Sequence, residues 1–288
     1  DNLRRASRII TCSHFSAQRL VEHLQLPPEN VTVIPLGSDA LEHQSGKLPE
    51  RLINTPYVLY PAGLWQHKRH ALLFEVMARI WAVRPEIKLV LTGGRNLHYG
   101  IEVADLLRRS RLPASSVIDL GYVSDEQLQP LYQHAEALLF VSEYEGFGMP
   151  ILEAMRNGCP VICASVTAIP ETAGDAALYV HSDEPDAWAS AFLEQLPAQR
   201  DALIRRGRER AELFTWANTR QQWKAALQQM GLHFSAEPNP ALAERGKSVY
   251  LLFPTTKKRR NRLQFKRLML SPLKRLKKLT RSILKGQR

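Results

Sequence analysis

Short apolar runs recur at 8–13, 31–36, 57–62, 87–93, 116–122, 136–142, 159–165 and 176–180, and most are apolar throughout rather than alternating. A strand with no polar face is covered on both sides, as in a parallel sheet sandwiched by helices. Between and after these runs, apolar residues return with helical spacing at about 14–25, 69–83, 100–111, 124–134, 150–157, 186–195 and 214–230. Strand alternating with helix predicts an α/β fold, a Rossmann-like doubly wound parallel sheet. Ser124 stands three residues before Gln127, with Asp125 and Glu126 between them, which predicts a capping box opening the helix near 124.

The pattern breaks at Leu26-Pro-Pro-Glu-Asn30 and again over 39–56, where turn residues accumulate. A domain junction is expected near 40–55. Residues 1–40 then read as the truncated end of one α/β domain, 50–230 as a second and complete one, and 231–288 as a polar linker with a basic tail.

Charge sharpens this division. The chain of 288 residues has a formal net charge of +11, yet residues 1–235 hold 23 Lys and Arg against 26 Asp and Glu, while 236–288 hold 16 against 2. The body is therefore close to neutral and lacks the basic, aromatic surface pattern of a nucleic-acid binder, so no nucleic-acid partner is expected. In the tail, Leu273, Leu276, Leu279 and Ile283 share one helical face, and Lys274, Arg275, Lys277, Lys278 and Arg281 fill the rest. Residues 257–288 read as a peripheral anchor on an anionic membrane surface, as a solvated basic run, or as a linker into a further module. Cys12, Cys159 and Cys163 are too few for a disulfide framework. With no apolar run near the roughly 20 residues that span a bilayer, and no leader-like start, the expected place is the cytoplasm, with the tail at the inner face of the plasma membrane.

Candidate chemistry concentrates in Ser142-Glu-Tyr-Glu-Gly-Phe-Gly-Met-Pro-Ile-Leu-Glu-Ala-Met155. If the strand at 136–142 ends in a loop and Pro150 opens the next helix, Glu145 lies on the loop and Glu153 in the first helical turn. Doubly wound sheets bind ligands outside the carboxyl ends of their strands, where helix-start amides attract phosphate. Gly146 and Gly148 permit positive φ and close backbone approach. The acids then suit sugar hydroxyls and the amides suit an anion. Glu143 falls outside the spacing and reads as solvated, and Glu171 reads as a cap on a short helix. Lys68 follows the first strand of the main sheet, while His67, His70 and His134 read as packing or solvent residues. No His, Asp or Cys cluster suggests a metal.

The run Glu145-Gly-Phe-Gly-Met-Pro-Ile-Leu-Glu153 resembles the E-x7-E signature of the retaining glycosyltransferases of GT-B architecture (family 4, group 1 type). The segments 6–39, 60–70, 87–94, 119–164 and 169–180 stand around it in that family's order, so the resemblance covers about 1–230. It implies the nucleotide-sugar-binding half of an enzyme that transfers a sugar from a nucleotide-diphosphate donor, with retention and without a metal or other cofactor. The implied acceptor is a glycan or lipid-linked glycan in lipopolysaccharide or polysaccharide synthesis, held with help from a missing N-terminal domain. This portion alone is then expected to transfer nothing. By the same resemblance Glu145 holds the donor sugar, Glu153 the ribose hydroxyls and Lys68 the diphosphate. Phe147 and Gly148 offer amides to the β-phosphate, and Tyr122 and Val123 border the base. Relatives often carry an arginine just before the lysine; Gly63–Lys68 has none, so His67, Arg69 or Arg95 is expected to supply the second diphosphate contact. A nucleotide-sugar epimerase of related architecture and a non-catalytic binding module are the competing readings.

Overall fold

The runs richest in aliphatic residues became the inner strands of a six-stranded sheet in the order β5-β4-β3-β6-β7-β8, with every neighbouring pair parallel. These strands are β3 (Tyr57–Pro61), β4 (Lys88–Thr92), β5 (Val117–Asp119), β6 (Ala137–Phe140), β7 (Val161–Ala164) and β8 (Leu178–Val180). Val58, Leu59, Val90, Leu138, Leu139 and Ile162 are wholly buried. Each such side chain contributes roughly 1.5–3 kcal/mol relative to exposure, and together they dominate the core. A separate two-stranded parallel sheet pairs β1 (Ile9–Thr11) with β2 (Val31–Val33), with α1 (His14–Leu24) as their connection. This computed structural model describes residues 6–38, 46–94 and 102–231, all part of one unit, Asp1–Phe253. The basic segment 257–288 lies outside the described residues, as does Arg95.

All eight expected strands form. The chain runs outward from β3 through β4 to β5, then returns past β3 to β6 and runs outward again to β8. The order reverses between β3 and β6, and that switch point is where a doubly wound sheet opens a crevice at its carboxyl edge. Helices accompany the sheet: α2 (His70–Val83), α3 (Val103–Ser110), α4 (Asp125–Gln133), α5 (Met149–Arg156), α6 (Ile169–Ala173), α7 (Pro185–Ser190) and α8 (Leu196–Glu212), while α9 (Trp216–Gln229) packs Ala226 and Trp223 with Ile10 and Ile34 of the β1-β2 region. The capping box at Ser124 is present, with both reciprocal hydrogen bonds. Among the described residues no helix is long and apolar enough to cross a membrane, and the three cysteines are free and buried.

Three local expectations require correction. Helix α8 goes unread in the sequence. It continues α7 through a π-helical turn at 191–195, and Pro197, which has no N–H to give a helix, stands just after that turn. Gly207 lets α8 lie close on α5, since a Cβ there would stand 3.1 Å from Met155 Cγ. Helix α5 begins at Met149 rather than at Pro150, because Gly148 takes φ 96° as its N-cap, and Glu153 therefore falls in the second turn. Gly146, in contrast, does not take a positive φ.

Candidate functional site

Two loops leave neighbouring strands at the switch point, and hydrogen bonds tie them together. After β3, the chain makes a short 3-10 turn at Gln66–Lys68, and the hydroxyl of Tyr60, from within β3, donates to the Lys68 carbonyl at 2.6 Å. After β6, the Glu143 amide and the Ser142 hydroxyl both donate to the His67 carbonyl, at 3.0 and 3.2 Å. With the backbones joined, Lys68 Nζ reaches Glu145 Oε1 in a direct ion pair, 77 residues apart in sequence. The two side chains are only 17% and 12% exposed, and Lys68 also stacks its ammonium 5.6 Å from the centre of the Phe140 ring. Partial burial matters here, because a charge pair screened from water interacts several times more strongly than one on the surface.

Beside this pair the backbone of 146–149 passes into α5. Phe147, Gly148 and Met149 donate to no acceptor among the described residues. Such helix-start amides carry partial positive charge and suit an anion. Glu153 stands one turn beyond Met149 on the same partly exposed face of α5, and side chains on a helix lean toward its N-terminus. Its carboxylate accepts a hydrogen bond from Tyr132 of α4 at 2.8 Å. Tyr122 is 82% exposed at the carboxyl end of β5, with Val123 half-buried beside it. Glu143 is exposed, as its spacing suggested.

The candidates for a second diphosphate cation fare differently. Burial, reinforced by the Lys68 ammonium, pushes His67 below the ordinary histidine value, with Glu145 and Glu143 opposing. The imidazole is thus neutral at pH 7. Arg69 pairs with Asp183 at 2.5 Å. Arg95 lies outside the described residues.

No spacing or motif marked the residues that brace the 144–148 loop from a distance. Cys12 and Ser16, from β1's end and α1, and Thr167 and Thr172, beyond β7, all bond to it. Glu171, expected to cap its own short helix, instead accepts the first two amides of α1, His14 and Phe15, at 2.8 Å each. The one signal was a carboxylate in the first turn of the short helix α6, which does not identify a partner more than 150 residues away.

His70 closes the same corner. It is buried against the Tyr60 ring, 5.1 Å between centres, and neither ring nitrogen makes a full hydrogen bond among the described residues. Burial pushes it down to about 4, with the Ala62 backbone opposing only in part. The folded state thus holds the ring neutral, whereas the unfolded chain protonates it near pH 6.5. Its contribution to stability is whole above that pH and is lost as pH falls toward 4, by about 3 kcal/mol in all. Urea unfolding at pH 7.5 and 5 is expected to show His70→Gln with a smaller pH-dependent loss than the wild type. Equal losses would show that the ring does not titrate in this way.

Residues 55–197 match the glycosyl transferases group 1 family. The chain is 32% identical over 228 residues to the O-antigen chain mannosyltransferase B of Escherichia coli, covering 76% of this chain and 59% of that protein. It is 28% identical over 207 residues to the O-antigen chain mannosyltransferase RfbU of Salmonella typhimurium, covering 71% and 55%. The chain thus spans somewhat more than half the length of these curated relatives. Anabaena HepE, crystallised with UDP and glucose, shares the fold at a TM-score of 0.68 and 22% identity, over 78% of this chain and 64% of that one.

Proposed function

We propose that the chain, whose residues 55–197 match the glycosyl transferases group 1 family, is the donor-binding part of a retaining glycosyltransferase of cell-surface polysaccharide synthesis. The donor is a nucleotide-diphosphate sugar and the acceptor a glycan or lipid-linked glycan. One observation carries the reading: Lys68 and Glu145 are paired at the switch point of the sheet, beside three amides at the start of α5. Cation, amides and carboxylate together match the two ends of a sugar diphosphate.

In this mechanism the diphosphate lies between the Lys68 ammonium and the amides of Phe147 and Gly148. As the glycosidic bond breaks, negative charge grows on the departing phosphate oxygen, and fixed donors in a partly dry cleft stabilise it without reorganising. The lysine and the amides supply the neutralisation assigned in other enzymes to a metal. Glu145 accepts hydrogen bonds from the sugar's hydroxyls and, through its ion pair, orients Lys68 toward the leaving group. Glu153 accepts from the ribose hydroxyls, and Tyr122 and Val123 border the base. Attack from the face the diphosphate leaves retains the anomeric configuration, with the departing phosphate taking the acceptor's proton.

A thermal-shift panel of UDP-, GDP- and ADP-sugars tests the reading. One nucleotide series is expected to raise the melting temperature, since a ligand present at a hundredfold excess over its Kd stabilises the folded state by about 2.7 kcal/mol. A flat panel at millimolar ligand would contradict donor binding.

A further inference from the structure

The loop that carries Glu145 has its peptide planes set by side chains from elsewhere in the chain. The Gly146 carbonyl accepts from Cys12 Sγ and Ser16 Oγ, both at 3.3 Å. The Phe147 carbonyl accepts from Thr172 Oγ1 at 2.5 Å. The Glu145 amide donates to Thr167 Oγ1 at 3.1 Å. In a trans peptide the C=O and the following N–H point in opposite directions, and the described residues contain no cis bond. Anchoring the Gly146 carbonyl on α1 therefore turns the Phe147 N–H away from α1. Anchoring the Phe147 carbonyl on Thr172 turns the Gly148 N–H away from α6.

These anchors are built rather than incidental. Ser16 and Thr172 are fully buried, so their hydroxyls have no water to bond instead. Burial pushes the Cys12 thiol up to about 11, which keeps it an S–H donor. Thr167 holds φ 55°, a costly conformation for a β-branched residue, and in it meets the Glu145 amide. Arg210 of α8 in turn donates to the Thr172 carbonyl at 3.1 Å and to the Glu171 carbonyl at 2.6 Å, backing α6. On the other side, Glu171 holds the first amides of α1, and Phe15 packs edge-on against Tyr144 at 5.7 Å.

We propose that Ser16, Cys12 and Thr172 are positioning residues that aim the Phe147 and Gly148 amides, so that the loop is a preformed two-amide cradle for the terminal phosphate of a nucleoside diphosphate. The proposal rests on the donor-site reading above. It adds that the segment 9–24, far from the cleft in sequence, is part of the phosphate site through the carbonyl it holds. A hydroxyl that never touches the ligand then governs affinity for the phosphate and not for the base.

Calorimetric titration of the full chain with UDP, GDP, uridine and guanosine tests this. Thr172→Val, which keeps shape and deletes the hydroxyl, and Ser16→Ala are each expected to weaken the preferred diphosphate about tenfold. The matching nucleoside should stay within about twofold, and Thr172→Ser should restore diphosphate affinity. If Thr172→Val fails to fold, Ser16→Ala and Thr172→Ala carry the comparison. Equal loss for nucleoside and diphosphate, no loss, or a Thr172→Ser variant as weak as Thr172→Val would overturn the positioning role. A wild-type chain that binds the diphosphate no better than the nucleoside would overturn the donor-site reading and this inference together. A wild type that discriminates, with variants that discriminate equally well, would overturn this inference alone.

Discussion

Replacing Lys68 with methionine or alanine weakens the binding of a nucleoside diphosphate by about a hundredfold and leaves the bare nucleoside within about threefold. The size follows from the setting. The Lys68 side chain is 17% exposed, so its attraction for a phosphate is poorly screened, and hydrogen bonds to charged groups contribute about 1.5–3 kcal/mol. A second effect adds to the first. Without Lys68 the carboxylate of Glu145, whose side chain is 12% exposed, meets the incoming phosphate as a like charge. Methionine is the sharper variant, because it keeps an apolar stem against Phe140 while deleting the charge. Calorimetric titration of both variants with nucleoside and diphosphate separates charge from packing.

Glu145→Gln is expected to lower the rate of sugar transfer by about 10²–10³-fold in the complete enzyme, while diphosphate affinity changes less than tenfold. Glutamine fills the same space and still bonds hydroxyls, but it neither orients Lys68 by charge nor complements the positive character of a sugar losing its leaving group. The loss should therefore appear in kcat more than in KM, the signature of an interaction strongest in the transition state. Initial rates with donor and acceptor varied separately check this. Activity within a few-fold of wild type would reduce Glu145 to a structural partner of Lys68.

The sheet was legible because parallel strands buried on both faces are apolar nearly throughout and only a few residues long. Helix α8 was not legible. Leu196-Pro197 imitates a helix stop, and the buried face consists of Leu196, Leu203, Gly207 and Ala211, too small and too sparse to give a strong period among so many charges. The helix works by close approach to α5 rather than by apolar bulk. At the site, Lys68 and Glu145 could be placed together because each follows a strand, and strand ends gather at one edge of a parallel sheet. The turn of α5 was misplaced for a local reason: Pro150 looks like a first helical residue, but Gly148 at φ 96° allows Met149 to join ahead of it. The braces from Cys12, Ser16 and Glu171 span 130 residues or more. Hydrogen bonds of that range leave no mark on the spacing of either partner.

In the proposed function, donor binding and transfer both depend on a diphosphate lying between the Lys68 ammonium and the first amides of α5. The measurement that addresses this directly is the affinity ladder of the wild-type chain for a nucleoside, its monophosphate and its diphosphate, repeated in Lys68→Met. The wild type is expected to gain about a hundredfold on addition of the terminal phosphate, and the variant almost nothing. A wild-type ladder with no step at the terminal phosphate, or a step that survives unchanged without Lys68, would contradict that placement of the diphosphate.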